Sequence, residues 1–95
     1  MRYLAIGVHG PIDPEEGRAI APRSAAWLRE ALAAGTIECA YSMAGGGRMV
    51  IAEAESEGAL LAVLRAAPDA EREWTLTGLH DAVETIEQYL ADTAG

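Results

Sequence analysis

Three consecutive glycines, Gly45 to Gly47, lie at the centre of this 95-residue chain and constrain its fold more than any other feature. Glycine alone reaches positive φ without a Cβ penalty, so a glycine run between two strand-like segments indicates a hairpin turn. A helical pattern, flanked by strand-like segments, lies on each side of this turn. The sequence therefore predicts the order β-α-β-turn-β-α-β, with two halves joined by one central hairpin.

The first strand is predicted over residues 3–9, where side chains alternate between two faces. One face carries the apolar residues Leu4, Ile6 and Val8. The other face includes small residues and is formed by Tyr3, Ala5, Gly7 and His9. The second face therefore has room beside it.

Pro22 divides the helical pattern that follows, because proline lacks an N–H and clashes with the preceding turn. The main helix is predicted to restart at Pro22 and to end at residue 34, just before Gly35. Residues 10–21 would then form a short helical flap with Asp13 as its N-cap, which we expect to gate a cleft beneath it.

The second half of the chain repeats this alternation. Strands are predicted over residues 36–43, 48–54 and 73–79. Ser56 is a candidate N-cap for the helix between the last two strands, and Pro68 closes that helix. Asp81 and Glu84 form a capping-box pair that opens an additional C-terminal helix.

Right-handed crossovers place this βαββαβ order in one antiparallel sheet of order 4-1-3-2, with both helices on one face. The predicted class is therefore α+β, with a ferredoxin-like topology. The other sheet face is left bare. So small a domain cannot leave the second face of strand 1 in water, so we expect an obligate homodimer formed sheet to sheet, with a higher oligomer also open.

Four sequence motifs resemble those of the dimeric α+β barrel superfamily, and most of all its muconolactone isomerase branch. They are the glycine run ending at Arg48, Ser56-Glu-Gly-Ala-Leu-Leu61, Ala66-Ala-Pro-Asp69, and Trp74-Thr-Leu-Thr-Gly-Leu-His-Asp81. Members of that superfamily are small cofactor-free isomerases, cyclases, monooxygenases or binding proteins. The resemblance implies a single dimeric α+β barrel domain over residues 1–95 and no cofactor.

Charge and cysteine content narrow the range of partners and settings. The net charge is −8 and lysine is absent, which argues against nucleic acid and anionic membranes as partners because both require clustered basic side chains. Cys39 is the single cysteine and no export signal is recognised, so we expect a reducing, cytoplasmic setting. The histidines and Cys39 do not have metal-ligand spacing, so no metal is predicted.

Candidate catalytic residues converge at one end of the predicted sheet. His9, at the end of strand 1, lies near Arg48 and Trp74 at the starts of its antiparallel neighbours, and Tyr41 and Met43 approach the same end. An imidazole can take and return a proton near neutrality, so His9 is the predicted acid or base. Arg48 could hold a carboxylate or polarise an enolate oxygen, and Tyr41 could donate to a carbonyl.

Each of these residues also has an ordinary structural explanation. His9 could be a strand-end histidine bonded to a loop carbonyl, Arg48 a solvated hairpin arginine, and Tyr41 a packed side chain with a wet hydroxyl. The predicted substrate-binding set is Trp27, Trp74, Arg23 and Met43. The tryptophans would supply flat walls for a hydrophobic ligand, although Trp27 could instead fill the core.

Two classes of function follow. The first is a cofactor-independent isomerase or cyclase acting on a hydrophobic small molecule that bears a carbonyl or carboxylate, with proton transfer at His9. The second is a non-catalytic module for small-molecule binding or assembly. A cofactor-free monooxygenase, in which the substrate activates oxygen, is an alternative within the enzyme class. The sequence alone does not choose among them.

Overall fold

The computed structural model describes residues 1–69 and 72–94. Its four strands are β1 (Arg2–Val8), β2 (Cys39–Ser42), β3 (Arg48–Glu53) and β4 (Glu73–Leu79). They form one antiparallel sheet of order β2-β3-β1-β4, which confirms the predicted ferredoxin-like arrangement. The helices are α1 (Pro14–Ala33), α2 (Glu57–Arg65) and α3 (Ala82–Thr93).

Local capping signals set the starts of the last two helices. The Ser56 hydroxyl accepts a hydrogen bond from the Ala59 amide at 3.1 Å, and the Asp81 carboxylate accepts one from the Glu84 amide at 2.9 Å. Each satisfies an amide that has no partner within its own helix. Both N-caps are therefore confirmed, as are the bounds of β4.

The central glycines form the predicted hairpin. The Met43 carbonyl accepts a hydrogen bond from the Gly46 amide, and the Met43 amide donates to the Gly47 carbonyl, both at 2.9 Å. Gly46 and Gly47 have φ angles of +100° and +96°, a region that a side chain with a Cβ rarely enters. The turn thereby brings Arg48 directly opposite Ser42 in the β2–β3 pair.

Pro22 does not end a helix, so the separate flap over residues 10–21 was wrong. α1 runs unbroken from Pro14 to Ala33 with Pro22 in its interior. A proline removes one backbone bond and crowds the carbonyl four residues earlier, but the turns on either side can keep their own bonds. Asp13 occupies the N-cap position without a side-chain capping bond. The first half of α1 is therefore a continuation of the main helix.

The assignment of the two sheet faces was also reversed. Tyr3 and Ala5, at 7% and 0% exposure, lie beneath the helices in the core with Val50 and Leu60. The bare face carries the other set of apolar side chains, which are Leu4, Ile6, Val8, Met49 and Ile51. Small residues on β1 make room for helices rather than for a second subunit.

Gly7 lies opposite Trp74 in the β1–β4 pair, and its lack of a side chain leaves room for the indole ring. A Cβ at Gly7 would lie 2.8 Å from two ring carbons of Trp74 and 2.9 Å from a third. We expect Gly7→Ala to lower the free energy of unfolding by about 2 kcal/mol, because the rigid indole must be displaced. Chemical denaturation followed by tryptophan fluorescence measures the change.

Gly78→Ala is the matched control for that substitution, since Gly78 lies on the same sheet face opposite Tyr3. There a Cβ would meet the Met1 side chain at 3.1 Å, and a flexible methionine can move aside. We expect the control to cost less than about 1 kcal/mol. Equal effects from the two substitutions would contradict the assigned role of Gly7.

The C-terminal helix α3 lies away from the rest of the fold. All of its residues are exposed, including an apolar stripe of Val83, Ile86, Tyr89 and Leu90, each more than half exposed. The molecule is consequently 62 Å long but only 28 Å and 21 Å across. Over the part of the chain that the structure describes, no helix is long and apolar enough to span a membrane.

Candidate functional site

Two adjoining cavities lie on the helix side of the sheet, against α1 between Glu16 and Leu28. The outer chamber has a volume of about 350 Å³ and lies beside the loop that joins β1 to α1. Apolar and ionisable side chains share its wall, and these are His9, Pro11, Ile12, Glu16, Ile20, Pro68, Asp69 and Arg72. The chamber therefore places the predicted acid or base next to apolar surface.

The inner chamber, of about 330 Å³, extends further along α1. It shares Ile12, Ile20, Asp69 and Arg72 with the outer chamber and adds Arg48 from β3. Most of its remaining wall is apolar or small, formed by Gly17, Ala21, Ser24, Ala25 and Leu28. One elongated ligand could occupy both chambers, with an apolar body and a polar end.

An ion cluster of Arg48, Asp69 and Arg72 joins the two chambers. Arg48 holds both carboxylate oxygens of Asp69, with Nη1 3.2 Å from Oδ1 and Nη2 2.9 Å from Oδ2. Arg72 reaches Oδ2 with Nη2 alone, at 3.2 Å. The side chains are 15%, 16% and 9% exposed respectively, so the cluster is largely shielded from water.

The cluster carries more positive than negative charge. Burial would by itself raise the pKa of the Asp69 carboxyl, but hydrogen bonds and charge from Arg48 and Arg72 outweigh it and lower that pKa below its ordinary value. Asp69 is therefore ionised at neutral pH. Two arginines against one aspartate leave a net charge of +1 in a protein whose total is −8.

Two polar atoms on the wall of the inner chamber are buried without a hydrogen-bond partner among residues 1–69 and 72–94. These are the hydroxyl oxygen of Ser24 and Nε of Arg72. A buried polar group without a partner costs about 1–3 kcal/mol, so native proteins keep few of them. Both atoms are covered by protein, so neither is presented to the open space of the chamber.

His9 directly follows β1, which ends at Val8 rather than at residue 9 as predicted, and it lies on the wall of the outer chamber. Its Nδ1 is 2.7 Å from the Gly10 carbonyl oxygen. A carbonyl only accepts hydrogen bonds, so Nδ1 carries the proton and, in the neutral ring, Nε2 keeps a lone pair. The hydrogen bond from His9 Nδ1 to the Gly10 carbonyl therefore leaves Nε2 available to act as a general base.

Tyr41 and Met43 lie at the predicted end of the sheet but not in the chambers. Tyr41 pairs with Met49 on the bare face, whereas Arg48 lies on the helix face. Arg48 pairs with Ser42. Because side chains alternate along a strand, Tyr41 and Met43, on either side of Ser42, point to the opposite face. Tyr41 and Met43 are 62% and 40% exposed and contribute nothing to this cleft.

The remaining predicted residues are dispersed. Arg23 is exposed on α1, one position before the buried Ser24, and Trp27 packs against the core. Trp74 lies on the helix face against Gly7, and neither tryptophan lines a chamber. Within the described parts of the chain, no group of three or more His, Cys, Asp and Glu side chains is placed to hold a metal ion.

Sequence reasoning missed Asp69 and Arg72. Both follow Pro68, beyond the end of the predicted helix, and nothing in their spacing connects them to Arg48, 21 positions before Asp69. The available signal was the Pro-Asp pair that closes α2, since a loop carboxylate beside an apolar helix end is a candidate partner for a strand-end arginine.

The chain has an α+β fold with a ferredoxin-like sheet and a cleft on the helix side of that sheet. A crystal structure of muconolactone isomerase is similar to this chain, with a TM-score of 0.70 over 86% of the chain and 93% of that structure. The sequence identity is 18%, so the likeness is one of fold. It confirms the predicted muconolactone isomerase-like fold. No protein-family model and no curated protein matches the chain.

Proposed function

We propose that the protein is a cofactor-independent isomerase or cyclase for a hydrophobic small molecule that bears a carbonyl or carboxylate. The observation that carries this proposal is the position of His9 on a chamber that also presents Arg72 and several apolar side chains. A base, a cation and an apolar surface are what a proton shift beside a carbonyl requires.

In the proposed reaction, His9 Nε2 removes a proton from the carbon next to the substrate carbonyl. The C–H bonding electrons move into an enolate, whose oxygen is stabilised by the positive charge of the arginine pair. The imidazolium then returns the proton to a different carbon, so one C–H bond breaks, another forms and no oxidant is used. Arg72 takes the role predicted for Arg48, because Asp69 already occupies both terminal nitrogens of Arg48.

Proton exchange tests this function even while the product is unidentified. Muconolactone, other unsaturated lactone acids and β,γ-unsaturated carboxylates would each be incubated with the protein in D₂O. Proton NMR should show loss of the C–H signal next to the carbonyl for at least one compound. Exchange no faster than without protein across the whole panel would contradict the proposal.

A binding module is the second candidate, because His9 is exposed and its hydrogen bond is to the neighbouring Gly10 carbonyl. A catalytic base is usually oriented by surrounding groups. Ligand binding without proton exchange would favour this second function. Oxygen consumption during turnover would instead favour the monooxygenase alternative.

We also propose an obligate homodimer that covers the bare sheet face. Its exposed and half-exposed apolar side chains include Ile6, Val8, Met49 and Tyr41, which form a continuous patch across three strands. Such patches mark interaction surfaces. Sedimentation at micromolar concentration should show a dimer, and Val8→Glu should weaken it. A stable, folded monomer of the unmodified protein would contradict this prediction.

A further inference from the structure

We propose that Asp69 determines the specificity of the cleft: its carboxylate occupies the arginine pair, so the cleft takes uncharged carbonyl compounds in preference to carboxylates. The inference deepens the proposed function and rests on it in placing the substrate in these chambers. It narrows a substrate that bears a carbonyl or a carboxylate to one without an ionised group.

The first observation is that the protein supplies its own anion to the arginine pair. The terminal nitrogens of Arg48 bind both oxygens of Asp69, at 3.2 and 2.9 Å, and Oδ2 also accepts from Arg72 at 3.2 Å. A paired fork of this kind is the arrangement in which arginine recognises a carboxylate. A carboxylate ligand would have to displace Asp69, which is only 16% exposed and is held in place by the same chain. A tethered group of this kind has a high effective concentration, so a dissolved acid competes with it at a disadvantage.

The donors that remain suit one neutral oxygen. Within residues 1–69 and 72–94, Arg72 contacts Asp69 through Nη2, protein covers its Nε, and Nη1 makes no hydrogen bond. One donor nitrogen can satisfy a carbonyl oxygen, whereas a carboxylate loses water from two charged oxygens that each need partners. The Ser24 hydroxyl does not supply the missing donor, because it too is covered by protein.

The charges along the cleft do not favour an anion either. Glu16 lies on the wall of the outer chamber, and an adjoining open groove shares His9 and Arg72 with that chamber and adds Glu73. Together with the ion cluster, the cleft and groove contain two arginines and three carboxylates. A negatively charged ligand therefore gains no net attraction there, and the protein as a whole carries a charge of −8.

An uncharged ground state also makes better use of the arginine pair. Only interactions that are stronger in the transition state than in the bound substrate accelerate a reaction. A neutral carbonyl interacts weakly with the excess positive charge of the ion cluster, whereas the enolate formed from it interacts with that charge as an anion. A substrate carboxylate would engage the same charge before the reaction as well as during it.

The experiment compares ligands of matched size that differ in charge, with calorimetry as the measurement. The probes are 3-phenylpropanoate, its amide and 4-phenylbutan-2-one, together with hexanoate, hexanamide and heptan-2-one. In at least one series the amide and the ketone should each bind more tightly than the acid by about 10-fold or more, because the acid must bury an incompletely paired carboxylate. The amide is the critical comparison, since it adds no apolar group to the shape of the acid. Acids that bind as tightly as their amides in both series, or neutral probes that do not bind, would overturn the inference.

Asp69→Asn tests the role of the Asp69 carboxylate directly. The substitution leaves both arginines without an anionic partner, so affinity for the acid relative to the ketone should rise by about 10-fold or more. A variant that keeps the circular dichroism spectrum of the unmodified protein and also keeps its preference for the ketone would show that Asp69 does not set the specificity.

Glu16→Gln keeps the test decisive if the Asp69 variant does not fold. Glu16 is exposed on the wall of the outer chamber, so its substitution should raise affinity for the acid relative to the amide by about 2- to 3-fold and leave the fold intact. Glu15→Gln, which removes an exposed glutamate that lines neither chamber, is the matched control and should leave that ratio unchanged. Equal ratios in the two variants would contradict the inference.

Binding and proton exchange separate this inference from the proposed function. In the exchange assay, the protein should accelerate exchange in methyl esters more than in the corresponding acids. Preference for uncharged ligands without proton exchange would leave the inference standing and remove the isomerase. Proton exchange in a compound whose acid binds more tightly than its neutral forms would do the reverse.

Discussion

Replacing His9 by alanine is expected to lower the rate of substrate proton exchange by about 10² to 10⁴-fold, the usual contribution of one general acid–base side chain. The physical reason is the loss of Nε2, which carries the lone pair in the neutral ring because Nδ1 donates to the Gly10 carbonyl. The fold should survive, since His9 is exposed and lies beyond the end of β1. Circular dichroism and the NMR exchange assay measure the two properties separately.

His80→Ala is the control for the His9 experiment. His80 is also exposed, but it follows the last residue of β4, at the opposite end of the sheet from His9. Its replacement should leave the exchange rate within a few-fold of the unmodified protein. If His80→Ala abolished exchange and His9→Ala did not, the reaction would take place outside the two chambers, and the role of the arginine pair would be lost with it.

The second large effect is expected from Asp69→Asn, which should lower the free energy of unfolding by about 3 kcal/mol. The substitution preserves shape but removes the carboxylate between Arg48 and Arg72, whose side chains are 15% and 9% exposed. Two shielded positive charges would then face each other without compensation. Urea denaturation provides the measurement, and a loss below about 1 kcal/mol would show that water reaches the cluster.

Acid pH should reveal the same interaction in the unmodified protein. The folded-state pKa of Asp69 is lowered, so its contribution to stability is complete above the unfolded-state pKa of about 3.9 and is lost as the pH falls below that value toward the folded-state pKa. Asp69→Asn should remove that part of the acid sensitivity. Asp92→Asn, at an exposed position bonded to Gln88, should change stability by about 0.5 kcal/mol or less and keep the acid sensitivity.

Local signals in the sequence were sufficient for most of the fold. The glycine run, the Ser56 and Asp81 caps and the alternation in β4 depend on neighbours within a few positions, and each has the structure predicted from it. The effect of Pro22 was predicted wrongly. The hydrogen bond that a proline removes was taken to end the helix, but the helical turns on both sides also determine whether the helix continues. The alternation of side chains along β1 also does not show which of its two faces packs against the helices.

The candidate site was less accessible from the sequence because it depends on register and on distant pairs. His9 and Arg48 were correctly placed at one end of the sheet, but the alternation along β2 and β3 sends Tyr41 to the other face. The partnership of Arg48 with Asp69 spans 21 positions and crosses α2.

The exposure of helix α3 bears on the stability of its helical conformation. A helix of 12 residues is only marginally stable in water, and the rest of the described fold gives this one no buried contact. A surface that shielded Val83, Ile86 and Leu90 would stabilise the helical state. Coil-to-helix conversion of these residues and their association with such a surface would then be one linked equilibrium.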